Sequence, residues 1–152
     1  VDRFMLKLML GYPTEEAELR MLEAYNHEVA EPKVIMSAEQ IVELQAMAGQ
    51  IHVERELIQY ILGLVTFTRQ HKRIYLGASP RAGLNLLHAA KAWALLSGRG
   101  YVLPDDVKIL APPVLAHRIL LTPEAELDGL APRQIVQEAL ERVPFRGKGT
   151  AA

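Results

Sequence analysis

One stretch of this chain alternates in the manner of a β-strand, and nothing near it in sequence offers a second strand to pair with. Phe4, Leu6, Leu8 and Leu10 fall on one side and Met5, Lys7 and Met9 on the other, a period-two segment whose second face is also nearly apolar. A strand of this kind needs neighbours for its backbone N–H and C=O groups, yet Gly11-Tyr12-Pro13 breaks the run before a hairpin can form. The segment therefore reads as an orphan whose sheet lies outside the chain. An opening at Val1-Asp2-Arg3-Phe4, without Met, reads as a sequence cut from a longer protein.

The remainder carries helical patterns. Thr14-Glu15-Glu16 supplies a cap and first-turn acids for a helix with Leu19, Met21, Leu22 and Tyr25 as its stripe. Ser37-Ala38-Glu39-Gln40 is a capping box, followed at helical spacing by Ile41, Leu44, Met47 and Ala48. A third helix carries Leu57, Ile58, Ile61, Leu64, Val65 and Thr68 and ends in the basic stretch Arg69 to Arg73, where cations oppose the negative pole of the dipole. The fourth runs from Ser79 to about Leu96, with Leu84, Leu87, Ala90, Ala94 and Leu95 assigned inward and Ser97-Gly98-Arg99-Gly100 as its stop. Its alanines admit a close neighbour, and Trp93 is read as a core or domain contact. Pro104-Asp105-Asp106 opens a shorter helix through Val107, Leu110 and Ala111, which Pro112-Pro113 is expected to interrupt. Ile119-Leu120-Leu121 reads as a small strand, and Ala131-Pro132-Arg133-Gln134 starts a last helix that Pro144 ends. The fold class is mainly α: about five to six helices preceded by one strand, with residues 146–152 expected to be disordered.

Composition excludes several kinds of chemistry. With 152 residues the chain suffices for one domain that needs no staple. A net charge of −1 gives no general attraction to nucleic acid or an anionic membrane. There is no cysteine, so disulfides and thiolate metal sites are excluded. No apolar run is long enough to span a membrane, and the first residues lack the order of a signal peptide. The five histidines (His27, His52, His71, His88 and His117) include no pair at i, i+4 and no adjacent acid motif, so no metal site is expected. Gly147-Lys148-Gly149-Thr150 fails as a phosphate-binding loop because Arg142 stands where the leading glycine should be. No complete active site is visible.

The stretch from Leu76 to Leu84 is the best candidate for chemistry. Ser79 suits an N-cap and Pro80 the first helical position, which puts Arg81 on the first turn. Free N–H groups, the helix dipole and a guanidinium together suit a phosphate.

Three groups of residues, in this order and spacing, resemble the C-terminal part of a MoxR-type AAA+ ATPase across almost the whole chain. They are Asp2-Arg3-Phe4 with its strand and Gly11-Tyr12-Pro13; Leu76-Gly77-Ala78-Ser79-Pro80-Arg81-Ala82; and Gly98-Arg99-Gly100-Tyr101-Val102 through Pro104-Asp105-Asp106-Val107 to Leu115-Ala116-His117-Arg118. The resemblance implies that residues 1–13 end the nucleotide-binding core and that residues 14–145 form an AAA+ lid-type helical bundle. It implies that Arg81 is the sensor 2 arginine, reaching the γ-phosphate of ATP bound by the same subunit, with Ser79 and Pro80 beside it. Arg3 looks like the arginine finger presented to the adjacent subunit, and Tyr12 and Pro13 sit where family members hinge core to lid near the adenine. Leu103 departs from the family, which often has a capping Thr or Ser there.

The resemblance further implies ATP and Mg²⁺ as ligands of a longer parent, a hexameric ring, a partner with a von Willebrand factor A domain, a chaperone-like role in assembly or maturation of complexes, and a cytoplasmic setting. The phosphate-binding loop and the Mg²⁺-holding acids are missing from these residues, so the chain alone is expected not to hydrolyse ATP. The competing reading is a free-standing helical protein-interaction module or a nucleic-acid binder using Arg69, Lys72 and Arg73. The near-neutral charge and the orphan strand count against it.

Overall fold

Helix by helix, the described chain buries its core from residue 51 onward and almost nothing before it. The computed structural model describes residues 3–26 and 31–147, which leaves residues 1–2, 27–30 (His27 among them) and 148–152 outside the described residues. Seven α-helices stand among them: α1 (Glu15–Tyr25), α2 (Ala38–Gln50), α3 (Arg55–Gln70), α4 (Pro80–Leu96), α5 (Pro104–Leu115), α6 (Pro123–Leu127) and α7 (Pro132–Arg142). A 3-10 turn, Ala116–Arg118, follows α5. Two short strands, β1 (Ile74–Leu76) and β2 (Leu120–Leu121), pair antiparallel with Ile74 opposite Leu121 and Leu76 opposite Leu120.

Among the described residues, every buried one lies between Ile51 and Ala139. Helix α4 is central: it packs on α2, α3 and α5, while α7 closes the other side against α3 and α5. Alanines make this possible, because Ala82, Ala89, Ala90 and Ala94 face inward with Leu86 and let the neighbouring helices approach. Of the residues expected inward, Ala90 and Ala94 are buried, Leu87 and Leu95 are only partly buried, and Leu84 is exposed. On α3 the inward residues are Leu57, Tyr60, Ile61, Leu64, Val65 and Thr68, with Ile58 exposed instead. Trp93 is also largely exposed, so it is not a core residue of this bundle.

Two further expectations are corrected below. Phe4 to Leu10, expected to be an orphan, has no strand partner among the described residues, and its apolar side chains stand mostly in the open. It is instead tied by single bonds, such as the Lys7 N–H donating to the Pro113 carbonyl at 2.9 Å. Pro112 and Pro113 do not interrupt α5. They remove two N–H donors near its end, but Leu110, Ala111, Val114 and Leu115 are buried on either side of them, and that packing carries the helix through. Finally, α6 is an additional short helix, started by the Thr122 hydroxyl accepting from the Ala125 N–H at 3.3 Å.

Helix α5 shows how a poor cap is replaced. Leu103 holds the N-cap position and has no capping oxygen, but the Asp106 carboxylate reaches back and accepts from the Leu103 N–H at 2.8 Å. The same carboxylate takes two bonds from Arg99, Nη1 to Oδ2 at 2.8 Å and Nη2 to Oδ1 at 2.7 Å, a bidentate pair joining the end of α4 to the start of α5. A parallel bridge lies alongside, with the His52 N–H donating to the Gly100 carbonyl and the Val102 N–H donating to the His52 carbonyl. Burial disfavours the charged form of Asp106, yet the Arg99 bonds and the Leu103 N–H outweigh it and hold the carboxyl below its ordinary value.

A group with a lowered folded pKa stabilises above its unfolded value, about 3.9 for Asp, and loses that contribution as the pH falls towards the folded one. Asp106→Asn should therefore cost about 1.5–3 kcal/mol at neutral pH and show a smaller deficit in acid. Denaturant unfolding of both proteins at pH 7 and near pH 3 measures the difference; a deficit that does not shrink in acid would remove the pair from the stability of this corner.

Candidate functional site

The loop between β1 and α4 approaches α3 more closely than a side chain permits. A Cβ on Gly77 would lie 2.7 Å from the Arg69 Cα and 2.8 Å from the Thr68 carbonyl oxygen, so this path requires glycine. The end of α3 then fastens the next residue by both of its backbone groups. The buried Thr68 hydroxyl accepts from the Ala78 N–H at 3.0 Å and donates to the Val65 carbonyl at 2.7 Å. Arg69 Nε donates to the Ala78 carbonyl at 2.8 Å.

One residue beyond this anchor, α4 begins. Ser79 is at the N-cap with extended backbone and Pro80 is in the first turn, as their chemistry dictates, but the Ser79 hydroxyl makes no capping bond to the helix. No acid lies in the first turn of α4, whereas α1, α2, α3, α5 and α6 each carry one there. Arg81 is exposed on that turn, and no hydrogen bond or ion pair engages its guanidinium among the described residues. The arrangement is a rigidly mounted cation beside a positive helix end, which can meet an anion supplied from outside. Among the described residues, no cluster of His, Asp and Glu could hold a metal ion.

Next to the loop is a cleft of about 480 Å³ walled by Arg69, Tyr75 to Ser79 and Arg118. Arg118 is buried, and its Nη2 donates to the carbonyls of Phe4 and, at 3.3 Å, Met5. His117 adds to this, with Nε2 3.2 Å from the Phe4 carbonyl oxygen and Nδ1 3.1 Å from that of Pro113. Sequence reasoning used His117 and Arg118 only as part of a motif; a contact across more than a hundred residues leaves no local pattern.

Of the other expected site residues, Arg3 sits exposed in a turn immediately before this clamp. Tyr12 and Pro13 are exposed, and no hydrogen bond or ring contact among the described residues joins them to the Arg81 loop. The basic cluster of the competing reading is partly engaged within the fold: Arg69 holds Ala78, and Arg73 lies 3.6 Å from Asp128.

Comparison with known proteins gives the family and fold of this region. The AAA lid domain family matches residues 66–139. The uncharacterized protein YeaC of Bacillus subtilis is 38% identical over 145 residues, covering 94% of this chain and 45% of the relative. Chaperone MoxR1 of Mycobacterium tuberculosis is 34% identical over 151 residues, covering 93% of this chain and 40% of the relative. A crystal structure from Cytophaga hutchinsonii, an ATPase by provisional assignment, superposes with a TM-score of 0.90 at 34% identity, over 96% of this chain and 48% of that one. The chain thus spans less than half the length of these relatives.

Gly77→Ala should force the loop off α3 and destabilise the fold by about 1–3 kcal/mol. Equilibrium unfolding is the measure, and an unchanged midpoint would show that the loop is not pinned.

Proposed function

Since the chain is the lid region of a MoxR-family AAA+ ATPase, we propose that it reads bound ATP through Arg81 and converts the presence of the γ-phosphate into lid orientation. The observation that carries this reading is the mounting of Arg81: Thr68, Arg69 and Gly77 fix its loop to α3, while its guanidinium has no partner within the described fold. A cation at the γ-phosphate offsets charge in the phosphoryl-transfer transition state. A contact available with the triphosphate and lost with the diphosphate gives two lid positions of different energy, which is the requirement for a nucleotide-driven switch.

In this reading Ser79 and Pro80 set the start of α4, Tyr12 and Pro13 form the hinge near the adenine, and residues 1–13 end a nucleotide-binding core that continues upstream. That core supplies the phosphate-binding loop and the Mg²⁺ ligands, and the 152-residue chain by itself does not turn over ATP. Arg3 acts as an arginine finger on the nucleotide of the adjacent subunit in a ring, with six subunits expected. The ring works in the cytoplasm as a chaperone-like device that assembles or matures partner complexes, together with a protein carrying a von Willebrand factor A domain. No helix among the described residues is long and apolar enough to cross a membrane.

The test uses the full-length protein, extended upstream through the nucleotide-binding core. Arg81→Ala should lower ATP turnover by about 10²-fold while nucleotide still binds. Turnover equal to the parent's would take Arg81 out of the mechanism. Arg3→Ala should lower turnover similarly, and in rings of mixed subunits the loss should appear at the site of the neighbour, read from subunits whose own nucleotide site has been inactivated.

A further inference from the structure

Arg118 stands between the two arginines of the proposed mechanism. On one side it walls the cleft formed by Tyr75 to Ser79, the loop that mounts Arg81. On the other, its Nη2 holds the carbonyls of Phe4 and Met5, the two residues that follow Arg3. His117 approaches the Phe4 carbonyl from the same corner, and the Lys7 N–H closes on the Pro113 carbonyl at 2.9 Å. Four contacts thus fix residues 4–7, a segment that has no ladder of its own among the described residues. Consecutive Cα atoms are about 3.8 Å apart, so Arg3 is one peptide unit from Phe4, whose carbonyl the buried Arg118 holds.

We propose that Arg118, assisted by His117, is a positioning residue that sets the backbone beneath Arg3 relative to the loop carrying Arg81. This rests on the finger reading of Arg3. Because the loop is pinned to the same bundle as Arg118, a shift of the bundle that follows Arg81 carries Arg118 with it, and Arg118 passes it to the finger segment, which links the site of one subunit to the site of the next. Arg118 touches no nucleotide in this scheme; it acts through Arg3.

Two measurements on the full-length protein test the two parts. Hydrogen exchange at the Lys7 amide should accelerate about tenfold or more in Arg118→Gln, while core amides of α3 and α4 keep their rates. An unchanged Lys7 rate would overturn the latch. In a double-mutant cycle on kcat, Arg118→Gln and Arg3→Ala should be non-additive, the double variant being within about twofold of Arg3→Ala alone, whereas Arg118→Gln should further slow an Arg81→Ala protein. Multiplicative losses from Arg3 and Arg118 would overturn the positioning role. Arg118→Lys keeps one donor and should recover part of the turnover; it also takes over both measurements should the glutamine variant lose its fold. If Arg3→Ala itself left turnover intact, the finger reading and the purpose of the latch would fall together, and Lys7 exchange would still report whether the latch exists.

Discussion

A single hydroxyl decides where α4 begins. Thr68 is fully buried, so its oxygen must be satisfied within the protein, and it is satisfied in both directions: towards its own helix at Val65 and towards the incoming loop at Ala78. The second bond is available only if residue 77 passes against the α3 backbone without a side chain. From that point the sequence of dependence runs outward. Ala78 places Ser79, Ser79 places the first turn of α4, and α4 is the helix on which α2, α3 and α5 all pack. Arg81, exposed and of functional interest, thus depends on one of the most buried polar groups in the fold.

The first fifty residues follow a different principle. Neither α1 nor α2 buries a residue, although Leu19, Leu22, Tyr25, Ile41, Val42 and Met47 give both helices apolar side chains. Phe4, Leu8, Met9 and Leu10 are likewise open. Isolated exposed leucines need no explanation, but a succession of them over three consecutive segments describes a surface made to be covered. The relatives, each more than twice as long as the matched region, provide the length for such a cover.

Legibility from sequence followed the locality of the interaction. The capping box at Ser37 is present in both halves, the Gln40 N–H donating to the Ser37 hydroxyl and the Gln40 side chain accepting from the Ser37 N–H, because all its parts lie within three residues. The Thr14 cap and the start of α4 at Pro80 were readable for the same reason. Where hydrophobicity and size give opposite advice, sequence is a partial guide: in α4 Ala90 and Ala94 are inward as expected, but close helix packing buries Leu86 and leaves Leu84 outside. The proline pair in α5 misled similarly, since local propensity is overridden by burial on both sides. Contacts that join distant parts of the chain, Arg118 with Phe4 and Gly77 with Arg69, have no periodic signature. Arg81, Ser79 and Pro80 could be located from sequence, but the clamp beside Arg3 required the folded chain.

The uneven distribution of burial also implies a hierarchy of unfolding. Among the described residues, 51–145 contain the whole buried core, closed at its end by the edge-to-face contact of Tyr60 and Phe145 at 5.8 Å, whereas before it α1 and α2 bury no residue and α2 meets the core by its packing on α4, with Lys91 Nζ donating to the Gly49 carbonyl. Such a chain comprises one cooperative unit and a peripheral one with a much smaller opening free energy. The segment before residue 51 can therefore open at a smaller free-energy cost than the core, while the platform under Arg81, anchored on α3, stays intact.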